Sequence, residues 1–309
     1  MSPFEENDLF PAPAEKTILN RIIDEVQSSL ETRTTGNYEE EQLRLYLADL
    51  LVSRGSNADF LRAQELYNQL IQAGTIQEIR AKTQVGRAEL YITSSEPKDW
   101  DQGITLALSA YESLRVLPED FFTHKAQVVQ AELRMKRGQT DDYEMALQIL
   151  NKVIESSHSG RYFKIRASVG KSEIVLYFYP GTPKDRQKEI QKCLQLCSEA
   201  LRYSVSRPTD YFTMKLKLIM AELMIALPEA DESRARSLLY SVVETKEGNF
   251  DLRARAMLNL AQMVNPVTAL RFLDEIGHME GLDSYLQKKA EWLEAEIKSK
   301  SDSIYDPNS

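Results

Sequence analysis

Cysteine is nearly missing from this chain. Only Cys193 and Cys197 occur, four residues apart, too few for a disulfide framework or a cysteine metal knuckle, and small core positions are the expected use. Histidine is as scarce: His124, His158 and His278 stand far apart and fit no ligand spacing, so no metal site is expected. Glycine and proline number 12 and 11 and fall mostly between helical stretches, while period-two alternation of β-branched residues is almost absent, which argues against a β architecture. No stretch approaches the roughly 18 unbroken apolar residues of a membrane span. Basic residues fall short of acidic ones, 38 against 47, for a formal charge of -9, and no long basic run offsets this. Nucleic-acid and anionic-membrane partners are therefore disfavoured. A nucleophile elbow, a phosphate loop and an HExxH motif are all missing, so no catalytic residue and no cofactor is assigned.

Apolar material is ample. With 42% hydrophobic and 28% charged residues the chain reads as folded and soluble, and its 309 residues exceed one ordinary core. Either two globular domains or one extended array must result. Residues 1–15 are acidic and Pro-rich, unlike a secretory signal, and are expected to be disordered, as is the tail 301–309. A single domain is expected over 16–300. The compartment stays open between cytoplasm and, if a leader has been removed, periplasm.

Internal similarity favours the array. A small residue, an acid or amide and a large aliphatic recur as Ala48-Asp49-Leu50, Ala88-Glu89-Leu90, Ala131-Glu132-Leu133, Ser172-Glu173-Ile174, Ala221-Glu222-Leu223, Ala261-Gln262-Met263 and Ala295-Glu296-Ile297. Successive intervals are about 40, 43, 41, 49, 40 and 34 residues, within the window of helical-pair repeats. Counting from the small residue as position 0, position -6 holds Gln42, Lys82, Lys125, Arg166, Lys215, Arg255 or Lys289, and position -3 is always apolar. These segments are named A helices. Between them lie B helices with single apolar faces, such as Ala63, Leu66, Tyr67, Leu70 and Ile71, or Ala146, Leu147, Leu150, Val153 and Ile154. An opening helix is expected over 16–32. Gly55, Gly74, Gly138, Gly160, Gly248 and Gly281, with Pro97, Pro118, Pro180, Pro183, Pro208, Pro228 and Pro266, mark the boundaries.

The stretch DYEMALQILNKVIESS at 142–157 resembles the second helix of a tetratricopeptide repeat, with its aromatic, Ala-Leu pair and later apolar residues, and FLRAQELYNQLIQAG at 60–74 is similar. The small residue of each triplet also resembles that family's small position in its first helix. Over roughly residues 39–300 the resemblance implies a right-handed α-solenoid of antiparallel helix pairs, about six to seven degenerate repeats and roughly 13–14 helices. The intervals exceed the family's usual period of about 34, and its full Trp, Gly, Tyr and Pro signature is not met in one repeat. Longer helices are expected, and no peptide-carboxylate clamp is carried over. The resemblance implies binding of a protein or peptide segment through a concave face.

At about 100° per residue, each A helix has two apolar faces, one holding positions -7, -3, 0 and +4, the other -5, -2 and +2. Between them runs a stripe with the basic residue at -6 and the acid at +1. Stacking makes two ladders: Lys82, Lys125, Arg166, Lys215, Arg255 and Lys289 beside Glu89, Glu132, Glu173, Glu222 and Glu296. Pairing between adjacent A helices is the first expectation, worth about 0 to 1 kcal/mol per exposed pair. Contact with a partner is the second. Aromatics at A-helix starts (Phe121, Phe122, Tyr162, Phe163, Tyr211, Phe212 and Phe250) are expected to staple each helix to the preceding B helix, in preference to forming an exposed row. Tyr177, Phe178 and Tyr179 form the hot-spot candidate. The candidate partner-binding set is thus Lys82, Glu89, Lys125, Glu132, Arg166, Glu173, Lys215, Glu222, Arg255, Tyr177, Phe178 and Tyr179. The expected function is a non-catalytic interaction adaptor or scaffold. A structural subunit of a larger, envelope-associated assembly or a homo-oligomer is the alternative, and a helical-toroid enzyme with an acid pair ranks last.

Overall fold

The computed structural model describes residues 13–32, 38–116, 121–179, 181–203, 211–229, 231–245 and 249–304. Within them the chain is all helical. Fourteen α-helices follow one another, with a single 3-10 turn and no strand among the described residues. They are α1 (Pro13–Glu31), α2 (Tyr38–Arg54), α3 (Asn57–Ala73), α4 (Gln77–Leu90), α5 (Pro97–Leu114), α6 (Phe121–Arg137) and α7 (Asp142–Glu155), then α8 (Arg161–Tyr177), α9 (Pro183–Tyr203), α10 (Tyr211–Ile225), α11 (Glu232–Val243), α12 (Phe250–Ala261), α13 (Pro266–Gly277) and α14 (Ser284–Ile304). The A helices are the even-numbered ones.

The ends differ from expectation by a turn. Helix α1 begins at Pro13, a residue whose fixed φ and missing N–H suit a first helical position, so 13–15 are helical. Helix α14 continues to Ile304, its last turns carrying the i,i+4 pairs Glu294–Lys298 and Glu296–Lys300. The rest of both expected disordered segments, together with Pro118, Pro180, Pro208 and Gly248, lies outside the described residues.

Helix boundaries follow from local chemistry. Gly55 and Gly138 take positive φ at the ends of α2 and α6, and each donates its N–H to the carbonyl four residues back, the left-handed cap that a Cβ would penalise. Ser56, Asn249 and Asn265 cap α3, α12 and α13 through side-chain oxygens. Pro97 and Pro266 open α5 and α13.

The chain forms two compact units, residues 1–174 with 178–180 and residues 175–177 with 181–309. The sequence reading expects one domain; the division falls in the last turn of α8, inside the longest interval between triplets, Ser172 to Ala221. In the first unit α1 to α4 share one apolar cluster around Ile23, Leu51, Tyr67 and Ile79. Helices α4 to α6 share two more, and α6 to α8 another. In the second, α12 to α14 enclose Met257, Leu258, Leu273 and Leu286.

The two-faced design of the A helices is realised in α6. Val128, Ala131 and Met135, at -3, 0 and +4, pack with α7 and α8. Ala126, Val129 and Leu133, at -5, -2 and +2, pack against α4 and α5. B helices bury one stripe each: Ala146, Leu150 and Val153 in α7, Ala269, Leu273 and Ile276 in α13. In α9 this stripe is Ile190, Cys193, Cys197 and Ala200, and both cysteines are buried, as small core residues would be. Packing also runs from one A helix to the next, α2 to α4, α4 to α6, α10 to α12 and α12 to α14. Among the described residues no helix is long and apolar enough to cross a membrane.

Candidate functional site

In the first unit the charged stripe closes into one network. Lys125 on α6 reaches back to Glu89 on α4 at 2.7 Å. Arg166 on α8 holds Glu132 on α6 with two parallel bonds, Nε to Oε1 at 2.8 Å and Nη2 to Oε2 at 2.6 Å. Its remaining Nη1 crosses to Glu89 at 2.7 Å, two A helices back. One guanidinium therefore ties three A helices, and it is only 5% exposed. Pairing of the base with an acid on an adjacent A helix is what the sequence predicts, and for Lys125 and Arg166 the structure places that acid at +1 of the preceding one. The burial of the pairing is not predicted. A bidentate, water-poor pair is stronger and more geometrically specific than the exposed pair expected, and stripping one partner strands a charge.

The ionisation states follow. Burial pushes the Glu89 carboxyl up, but Lys125 and Arg166 outweigh it and bring Glu89 down to about 2. Burial works against the Lys125 ammonium as well, yet Glu89 and Asp49 leave it above its ordinary value. Asp49, the +1 residue of α2, is raised by burial, with Lys125 and a 2.6 Å bond from the Tyr67 hydroxyl opposing. The Tyr67 ring lies so close to Gly86 that a Cβ there would stand 2.8 Å from its hydroxyl. Lys82 bonds Glu78 on its own helix at 2.6 Å.

The second unit repeats the arrangement with an added tyrosine. Arg255 on α12 grips Glu222 on α10 through Nε at 2.8 Å and Nη2 at 2.6 Å, and Asn259 donates to the same carboxylate at 2.9 Å. The Tyr177 hydroxyl donates to Glu222 and accepts from Arg255, whose guanidinium centre also sits 5.2 Å from the Tyr177 ring centroid. Burial and the Glu222 charge hold this phenol well above the ordinary range. Lys215 lies 5.9 Å from the centroid of the Tyr211 ring, and Glu173 is half-buried on α8.

The aromatic neighbours do not act as one group. Phe178, in the first unit, stacks on Tyr143 with centroids 4.3 Å apart, while Tyr179 is half-buried. The pairs at A-helix starts are divided by angle. Position -9 continues the buried -5, -2, +2 face at four- and three-residue steps, so Ile79, Phe163, Leu252 and Leu286 are buried. Position -10 instead continues the -6, +1 stripe. Phe121 is 54% exposed and Tyr162 47%, with Tyr38 and Tyr285 exposed as well. In Tyr162–Phe163 the staple expected of both members belongs to the second and the first stands outside; Phe122 is half-buried behind an exposed Phe121, and Tyr211 and Phe212 are both half-buried. Phe121 and Tyr162 flank Phe163, edge-on at 4.7 and 5.2 Å. Burial raises the Tyr162 hydroxyl, and Arg166, Glu89, Glu132 and Lys125 all act on it, which places it over the network.

A further device escapes the triplet pattern. Arg54 clamps Asp59 and Arg137 clamps Asp142, each with two bonds of 2.5 to 2.8 Å, across the positive-φ glycines. Both acids also accept a backbone N–H at the start of the following B helix. Its signal in the sequence is the shared Arg-Gly-x-x-x-Asp at 54–59 and 137–142. Likewise Arg80 and Arg253, both at position -8, donate to carbonyls that end the preceding B helix, those of Gly74 and Val243.

Among the described residues no group of three or more His, Cys, Asp or Glu is placed to hold a metal. In comparisons with known proteins, no family model matches the chain and no curated protein matches it.

Proposed function

We propose that the chain is a non-catalytic adaptor or scaffold, a degenerate tetratricopeptide-like α-solenoid of right-handed helix pairs whose A-helix face receives a segment of another protein. One observation carries the reading: Phe121 and Tyr162 stand exposed on the same stripe whose charges beneath them, the buried Arg166 and the half-buried Lys125, Glu89 and Glu132, are mutually paired. Aromatics on a rigid support lose little freedom when they bind, and tyrosine is enriched at the centres of protein interfaces. Because Lys125, Glu89, Arg166 and Glu132 beneath these rings satisfy one another, the partner meets rings and peptide polar groups there in preference to bare charge. The helical pairing, the spacing of the triplets and the packing of A helix on A helix support the solenoid reading.

At Glu89 the same electrostatics speak against acid–base chemistry. A general acid or base works best with a value near the operating pH, whereas Glu89 is fixed as an anion far below it. The test is affinity capture from the native source with Phe121→Ser/Tyr162→Ser, beside Leu61→Ser, an exposed apolar change on B helix α3. The reading expects the double variant to keep its melting temperature and lose its partner, with Leu61→Ser unaffected. Equal capture by all three forms overturns it.

A further inference from the structure

Helix α14 departs from the other six A helices on one face. Position -3 is buried in all of them (Leu45, Val85, Val128, Val169, Leu218 and Leu258), yet Trp292 at this position is 65% exposed. Ala295, at the otherwise buried position 0, is exposed as well. The opposite face of α14 is fully engaged: Leu286, Ala290 and Leu293 pack with α12 and α13.

The exposed face is not one that a further apolar hairpin would cover. Position -7 is Lys288 and position +4 is Ser299, both exposed, where Ala81, Met214 and Ala254 at -7, or Val52 and Leu176 at +4, stand in other A helices; only α2 and α6 also carry a polar residue at -7, Glu41 and His124. The charges nearest Trp292 on this face differ in sign on its two sides, with Lys300 a turn beyond Glu296. Lys288 and Lys289 precede Trp292; Glu296 follows it. Seven residues, almost two full turns, separate Lys289 from Glu296, so the two lie nearly on one line beside Trp292. At about 1.5 Å per residue, Lys289 stands about 4.5 Å before the tryptophan along the helix and Glu296 about 6 Å after it.

A face with one aromatic at its centre, a cation on one side and an anion on the other at nearly equal distance is complementary to itself turned end for end. We propose that it is the contact for a second copy of this chain, with two α14 helices antiparallel about a two-fold axis beside Trp292. The tryptophans meet at the axis, Lys289 faces the partner's Glu296, and Glu296 faces the partner's Lys289. Tyr285, 67% exposed on the same face, lies opposite the small Ser299 of the second copy and covers the flank. Glu296 already bonds Lys300 at 2.6 Å on the surface, an exposed pair that costs little to exchange. One helix pair covers less than the area of a standard stable interface, so the dimer is a weak one that builds up with concentration.

Sedimentation velocity of the full chain over a concentration series tests this. Dimer is expected in the unaltered protein, and monomer in Trp292→Glu at the same helix content. Lys289→Glu sets four acids against one another at the axis and Glu296→Lys sets four bases, so each alone weakens dimerisation about tenfold or more. Mixed together, the two variants form a heterodimer in which every acid faces a base. A chain that stays monomeric at every concentration overturns the proposal, as does a dimer indifferent to Lys289→Glu or a mixture that fails to associate.

Discussion

Arg166 joins more of the first unit than any neighbouring charge, since its guanidinium bonds both Glu89 and Glu132. Replacing it with Met leaves two half-buried carboxylates facing each other, and a loss of about 3 kcal/mol is expected in urea unfolding at neutral pH. Glu89 gives that network a pH dependence of known sign. Its folded value is about 2 against an ordinary 4.5, so its contribution is complete above about 4.5 and is lost as the pH falls toward 2. Asp49 acts in the opposite sense, because burial raises its folded value and favours the protonated form as the pH falls. Unfolding measured at pH 7, 4 and 3 is expected to show Glu89→Gln flattening the acid side of the profile; an unchanged slope contradicts the assignment. Which charges pair is legible in the sequence, because the base at -6 and the acid at +1 recur at fixed offsets. How deeply they are buried is not, since exposure depends on the aromatic rings laid over them.

Helices are legible wherever burial repeats with the helical period, as in the two faces of α6 and the stripe of α7. Adjacent aromatics are harder. Phe121 and Phe122, or Tyr162 and Phe163, look alike in sequence, and only the continuation of -9 into the -5, -2, +2 face shows which one turns inward. The Arg-Gly-x-x-x-Asp clamp escapes a periodic reading because its residues straddle a helix end, where no period operates. Asp142→Ala removes an acid that holds Arg134, Arg137 and the start of α7, and is expected to cost about 2 kcal/mol in thermal or urea unfolding. Gly86 makes a separate point about packing between α3 and α4. A methyl there presses on the Tyr67 ring and its bond to Asp49, so Gly86→Ala should destabilise by about 1 to 3 kcal/mol despite the higher helix propensity of alanine. A gain in stability would show that the ring moves aside freely.

Within each unit neighbouring A helices are tied together by ion pairs, and the proposed partner surface is the set of aromatic residues exposed beside them. The two compact units carry the same pairing, Arg166 with Glu132 in one and Arg255 with Glu222 in the other. The helices and their triplet spacing are legible in the sequence, while the division within α8 is a property of long-range packing that no local pattern in the sequence records. The most direct test places a photo-crosslinking phenylalanine at position 162 and, separately, at position 61, in protein returned to its native source. Adducts with a common partner at 162 and none at 61 are predicted; labelling at 61 alone, or equal labelling at both, would contradict the assignment of the binding surface to the A helices.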